Sequence, residues 1–159
     1  MQQKYGYSAV LQPLIDDLKQ VSQTGITVDA SSNSSAYRAI LATVSADNLT
    51  AHSLAGFSSC FSSGRICRQC MAHHSEIQGK FSENDFVIRT PEVHKYHLDK
   101  VHSNPSDAGA YGVHKDCPFT ALDYFCTVTS FPPDPMHDIL EGCDDLISEF
   151  QFRFNIDSI

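Results

Sequence analysis

The chain has 159 residues, 42% of them hydrophobic and 19% charged, and its 11 Lys and Arg against 19 Asp and Glu give a formal charge of -8. That length holds one domain with a core of its own and is short for two. An acidic surface excludes a broad basic grip on nucleic acid, so any DNA contact has to be local, and no apolar run approaches the length of a membrane span.

The opening residues Met-Gln-Gln-Lys-Tyr-Gly-Tyr-Ser lack the apolar stretch of a signal peptide, and an intracellular chain is expected. In a reducing compartment its cysteines are free or metal-bound rather than paired. Cys67 and Cys70 form the one tight motif, and Cys60, Cys117, Cys126 and Cys143 read as small buried hydrophobes.

Leu11, Leu14, Ile15, Leu18 and Val21 recur at helical spacing opposite a polar face of Gln12, Asp16, Lys19 and Gln20. Pro13 suits a first turn, where its missing N–H is harmless, so the expected helix runs from Pro13 to Gln23 and stops at Gly25. Ile26 to Asp29 and Tyr37 to Ser45 read as strands around a Ser-rich loop from Ala30 to Ser35. The second strand shows little alternation, as expected of one buried on both faces, although so short an apolar run also suits a helix.

Asp47 follows that strand, where Asp-Asn is ordinary turn chemistry. Leu49 to Ala55 then reads as a helix stopped by Gly56, and Ser58 to Ser63 leads into Gly-Arg-Ile-Cys-Arg-Gln-Cys. Thr90-Pro91-Glu92 combines a hydroxyl cap, a proline at the first helical position and an acid in the first turn, and the helix it starts carries His94 and His97 on one face. Asn104 to Gly112 reads as a loop. Asp134-Pro135 repeats the helix start ahead of a stripe of Met136, Ile139, Leu140, Cys143, Ile147 and Phe150, whose many carboxylates read as a solvated face.

A CxxC turn offers zinc two thiolates at the right separation, and a structural site needs four ligands in a tetrahedron. Cys67 and Cys70 therefore predict a bound Zn2+, with His94 and His97 as the best pair to complete it. His73 and His74 compete, and His102 can replace either helix histidine. Without a metal the His pair is a wet helix face beside Lys95, Asp99 and Lys100. An ordinary enzyme of Cys or His chemistry has little support, because the sequence holds no Gly-rich phosphate loop, no GxSxG elbow and no HExxH.

From Tyr7 to about Gly142 the order of several blocks resembles the catalytic region of CACTA (En/Spm-type) DNA transposases and their animal relatives. The blocks are Leu11-Gln-Pro-Leu-Ile-Asp-Asp-Leu, Gly25-Ile-Thr-Val-Asp-Ala, Tyr37-Arg-Ala-Ile-Leu-Ala-Thr-Val-Ser-Ala-Asp, the step from Asp47 to Gly56, the CxxC, and Phe131-Pro-Pro-Asp-Pro-Met-His-Asp-Ile-Leu-Glu-Gly. Asn48 and Thr50 depart from the family's usual residues. The resemblance implies an α/β chain holding an incomplete RNase H-like fold with a zinc-bearing helical insertion. Residues 1–63 would be the partial core, 64–103 the insertion, and 104–159 a loop and an acidic C-terminal helix.

In such transposases two Asp and one Glu hold two divalent ions, Mg2+ or Mn2+, for in-line displacement at a phosphodiester. The resemblance implies that Asp47 is the second Asp and that Cys67 and Cys70 belong to the zinc insertion. The family's first Asp lies upstream of these blocks and its final Glu downstream, and neither Glu141 nor Glu149 matches that Glu. The expectation is a nuclear transposase fragment, inactive alone, whose complete parent binds DNA. The other reading is a host-retained zinc module that binds protein or DNA, and the acidic balance favours a protein partner or self-association. His137, in the last block, is expected at a helix start, with zinc or DNA contact as its other roles.

Overall fold

The computed structural model of the chain describes residues 2–30 and 33–134. Helix α1, Gln2–Gln23, is kinked at Gly6 and contains Pro13. It therefore begins well before the expected start at Pro13. Tyr7, Leu11, Ile15 and Leu18 lie on one stripe packed against the core, with Ile15 fully buried, and this burial carries the helix through a proline that removes only one backbone hydrogen bond.

Strand β1, Ile26–Ala30, pairs antiparallel with β2, Asn33–Tyr37, with Ile26 opposite Tyr37 and Val28 opposite Ser35. The first strand is where the sequence predicts it, but the second is not. Pairing ends at Tyr37, and residues 38–47 form no regular element where a buried strand to Ser45 is expected. Strand structure needs a ladder partner. Here the segment makes isolated bonds instead: Val44 N donates to Ser130 O at 2.8 Å and Leu41 N to the Tyr124 hydroxyl at 3.5 Å, while Ile40 stays exposed.

Helix α2, Asn48–Ala55, buries Ala51, His52, Leu54 and Ala55 and ends at Gly56, whose φ of 82° is left-handed, as the sequence predicts. The chain then bridges from Phe57 to Val113, with Ser58 N on Gly112 O and His114 N on Gly56 O. Helix α3, Pro91–Ser103, has the predicted Thr90 cap. The expected loop after it holds a short 3-10 turn, Pro105–Asp107, and helix α4, Ala108–Tyr111.

The core gathers Ile15 of α1, Ala51, Leu54 and Ala55 of α2, Leu98 of α3, and Phe119, Leu122, Phe125 and Phe131 from the turn-rich segment behind α4. Phe125 meets Phe119 at 5.3 Å and Phe131 edge-on at 5.8 Å between ring centroids. Cys117 is buried in this core as expected, but Cys60 is exposed and Cys126 only half-buried. Its Ser-rich surroundings explain Cys60, whose sulfur lies 3.3 Å from the Ser63 hydroxyl. Cys143, His137 and the helix expected after Asp134 lie outside the described residues.

The described residues are mixed α/β, with four α-helices and a two-stranded antiparallel sheet. Within the segment 64–103, Leu98 of α3 is part of the common core.

Gly56 has no room for a side chain: a Cβ there would lie 2.0 Å from the Lys115 carbonyl oxygen. Gly56→Ala is expected to destabilise the chain by about 2 kcal/mol or more, combining left-handed strain with that collision. Gly109, in α4 with open space around it, is the control, and Gly109→Ala is expected to be neutral or stabilising by up to about 1 kcal/mol. Urea unfolding of the two variants measures the contrast.

Candidate functional site

Cys67 and Cys70 sit at the tip of a small hairpin. Its arms are joined by a bridge between Arg65 and His73 and by bonds from Ile66 N to Ala72 O at 3.2 Å and His74 N to Gly64 O at 2.9 Å. At the tip the Cys67 sulfur accepts from the backbone N–H of Gln69 and of Cys70, each at 3.3 Å. Residues 87–89 run along the other edge, with Met71 N on Val87 O and Arg89 N on Gln69 O, both at 2.8 Å. The turn is thus braced on both sides by backbone.

Arg89 closes this edge and leads into α3. Its side chain is 2% exposed, and among the described residues no carboxylate lies within salt-bridge distance of it. Nε donates to Cys67 O at 3.2 Å and one terminal nitrogen to Tyr111 O at 2.7 Å. The other lies 3.4 Å from His97 Nδ1, and the guanidinium stands 5.3 Å from the centre of the Phe57 ring. Burial pulls its pKa down to about 10, with Cys67 and Cys70 working the other way. Burial pushes the Cys70 thiol up to about 11, and a hydrogen bond with Cys67 adds to this.

His94 and His97 face inward from α3 together with Leu98 and Val101. His97 stacks on Tyr111 at 4.5 Å and is held on the neutral side by burial and then by Arg89. His94 is 6% exposed and packs 5.1 Å from Phe57, and neither of its ring nitrogens has a hydrogen-bond partner. Burial, followed by the charges of Arg89 and His97, lowers it to about 4. A wet helix face is therefore not what this pair forms. The competing histidines are engaged elsewhere: His73 Nδ1 bonds Ser75 at 2.9 Å, His102 pairs with Asp116 at 2.8 Å on the surface, and His74 is exposed.

Two residues of the expected zinc set, Cys67 through its carbonyl and His97 through Nδ1, thus meet at one guanidinium. Among the described residues, however, no three or more His, Cys, Asp or Glu are placed to hold a metal ion. The chemistry of the donors suits zinc, and the two unbonded nitrogens of His94 are unused ligand capacity, but the set is not drawn together around a centre.

Asp47 is the N-cap of α2. One carboxylate oxygen accepts from Thr50 N at 2.8 Å and the other from the Thr50 hydroxyl at 3.0 Å. The carboxylate stands at a helix start rather than at the end of the expected strand. The next residue, Asn48, receives the side chain of Arg68 from inside the CxxC, and a cavity of about 430 Å³ lined by Asn48, His52, Phe61, Cys67, Cys70 and Phe86 lies over that junction.

Arg68 and Arg89 are the organising residues that sequence reasoning missed. Their signal was a cation inside a two-cysteine turn and another directly before a helix cap, but in sequence they only help to neutralise an otherwise acidic stretch. Comparison with family models, with curated proteins and with solved structures finds no match to this chain.

Replacing Asp47 separates cap from charge. Asp47→Ala is expected to cost about 1 kcal/mol of stability, and Asp47→Asn, which caps as well, only a few tenths, as measured by denaturant unfolding.

For His94 the sign follows from a folded-state value near 4 against the ordinary 6.5. Between those values the unfolded chain binds the proton more tightly, so this contribution is complete above 6.5 and is lost as pH falls towards 4. Unfolding of the metal-free chain across that window is expected to show the loss, and His94→Phe to flatten it.

Proposed function

We propose that this chain is part of the catalytic region of a CACTA-type DNA transposase, in which Asp47 is one carboxylate of a larger two-metal site and Cys67, Cys70, His94 and His97 hold a structural Zn2+. The observation that carries the zinc reading is His94, a buried imidazole with both nitrogens unbonded. It lies on the same helix face as His97, whose Nδ1 is 3.4 Å from the Arg89 guanidinium that also donates to the Cys67 carbonyl. An unmade bond at a buried polar group costs about 1–3 kcal/mol, which a ligated metal would recover. Two thiolates cancel the charge of Zn2+, so a Cys2His2 site adds no net charge beside the buried Arg89.

Bound zinc in such a site supplies folding free energy rather than chemistry. The chain's own residues would do the holding: Cys67 and Cys70 from a braced hairpin tip, His94 and His97 from a capped helix. The transposase reading is supported by the order of the sequence blocks. It is also supported by the meeting at Arg68 of three of them: the Asp47 helix start, the CxxC, and Phe131-Pro132. Asp47, engaged as a helix cap, is one carboxylate where two-metal displacement needs several, so the chain alone is expected not to cut or join DNA.

A second reading, a retained module that binds protein, is favoured by the charge of -8 and by the outward apolar face of the hairpin, where Ile26, Val28 and Tyr37 are about half exposed. A module that binds protein alone is expected to show no salt-dependent binding to short DNA duplexes.

Metal analysis of the purified chain is expected to find one zinc, lost in Cys67→Ser and in His94→Gln, with Mg2+ or Mn2+ giving no strand cleavage. Sequence on both sides of the coding region tests the origin. An in-frame upstream strand ending in Asp and a downstream Glu support a transposase, whereas cleavage by the chain itself that Asp47→Ala abolishes would overturn its assignment as inactive alone.

A further inference from the structure

The cavity of about 430 Å³ beside the CxxC turn is lined by Phe61, Ile66, Ala72, Ile77 and Phe86, and by Pro133 where the chain leaves the core. Phe61 and Ile77 are 39% and 38% exposed, and neither belongs to the buried core. Apolar side chains gathered around an open space gain by being covered. The wall holds its shape without a metal, because the hairpin tip is fixed by backbone bonds from Met71 N to Val87 O and from Arg89 N to Gln69 O.

The charge of this wall is one-sided. Its lining holds Lys80 and Arg68 but neither Asp nor Glu. Lys80 pairs with Glu76 at 2.9 Å, outside the lining. Arg68 donates to the Asn48 side chain and to the Phe131 and Pro132 carbonyls, and among the described residues no carboxylate lies within ion-pair distance of it. A fitting occupant is therefore apolar on one side and acidic on the other.

The chain itself carries such a segment, tethered at the cavity. Pro133 lines the space and Asp134 is the last described residue. Three residues of chain span at most about 10 Å, which holds Met136 close to the wall. From there Met136, Ile139, Leu140, Cys143, Ile147 and Phe150 recur at helical spacing, and Asp134 to Glu149 holds six carboxylates with no Lys or Arg.

We propose that the cavity is the docking site for this chain's own segment from Met136 to Phe150, whose apolar stripe covers Phe61, Ile77 and Phe86 while its carboxylates answer the cations of the wall. The tether makes this binding intramolecular, so modest contacts suffice. A second copy is the weaker candidate, since each chain carries a formal charge of -8 and like charge opposes association. Docking covers the face that Cys67 and Cys70 share with the cavity, so the segment governs whether a partner reaches that face. The inference needs neither zinc nor a transposase origin.

The test uses the full chain, which contains no Trp, so a single introduced indole reports on its own surroundings. Met136→Trp and Leu140→Trp are each expected to emit to the blue of the same chain unfolded in urea and to be shielded from acrylamide, at low protein concentration and after chelation of metals. Adding Ile77→Asp puts a carboxylate into the apolar wall and is expected to shift the emission to the red and remove the shielding. Phe61→Asp does the same should Ile77→Asp fail to fold by circular dichroism. Ile40→Asp is the control, at a residue that is exposed and does not line the cavity, and is expected to leave the emission unchanged. An indole as accessible as in urea in both reporters overturns the docking. Shielding that survives both wall substitutions, or that Ile40→Asp removes equally, overturns it too. Shielding that appears only as protein concentration rises, together with a dimer on size exclusion, gives the cavity to a second copy and overturns docking within one chain.

Discussion

A guanidinium buried without a carboxylate has to be held by whatever dipoles the fold can aim at it, because an uncompensated buried cation costs more than a small domain can spare. Arg89 is in that position. The carbonyls of Cys67 and Tyr111, the ring nitrogen of His97 and the face of Phe57 all converge on it. Each belongs to a different element: the hairpin tip, the end of α4, the inward face of α3 and the exit from α2. None of these can move far without leaving the charge exposed to an apolar interior, so one side chain sets the mutual placement of four segments.

Arg68 does for the outer connection what Arg89 does for the inner one. The stretch between Gly64 and Ser103 has little regular structure before α3, and its hairpin is short. It stays on the body of the molecule through Leu98 and Val101 packing inward from α3 and through the reach of Arg68 to Asn48, Phe131 and Pro132. The two arginines also tie this stretch to the rest of the described residues. Its polar interior is completed by groups from α2, α4 and the aromatic segment.

Much of the local structure was legible because it depends on neighbours in sequence. Thr90 with Pro91 and the glycine ending α2 are capping devices whose bonds close within four residues, so composition alone places them. The strand expected to reach Ser45 was not legible in this way, since an apolar run becomes a strand only beside a partner. The described residues give Val44 one carbonyl of Ser130 and no ladder. The start of α1 was misjudged for the complementary reason: proline in a first turn is the local preference, but burial of Tyr7, Leu11 and Ile15 on one stripe extends the helix past it.

For the candidate site the division runs the same way. Sequence by itself determined the donor types and their local framing, a CxxC turn and two histidines on one face of a capped helix, because helical and turn geometry are short-range. It also determined the acidic balance, whereas the capping role of Asp47 at the start of α2 came from the structure. Only the tertiary structure decided that both helix histidines are buried, that His94 is left with two unbonded nitrogens, and that His73 and His102 are engaged elsewhere. It alone decided that Arg68 and Arg89 join these parts. Burial and long-range hydrogen bonds are set by which segments the core brings together, and no spacing along the chain encodes that.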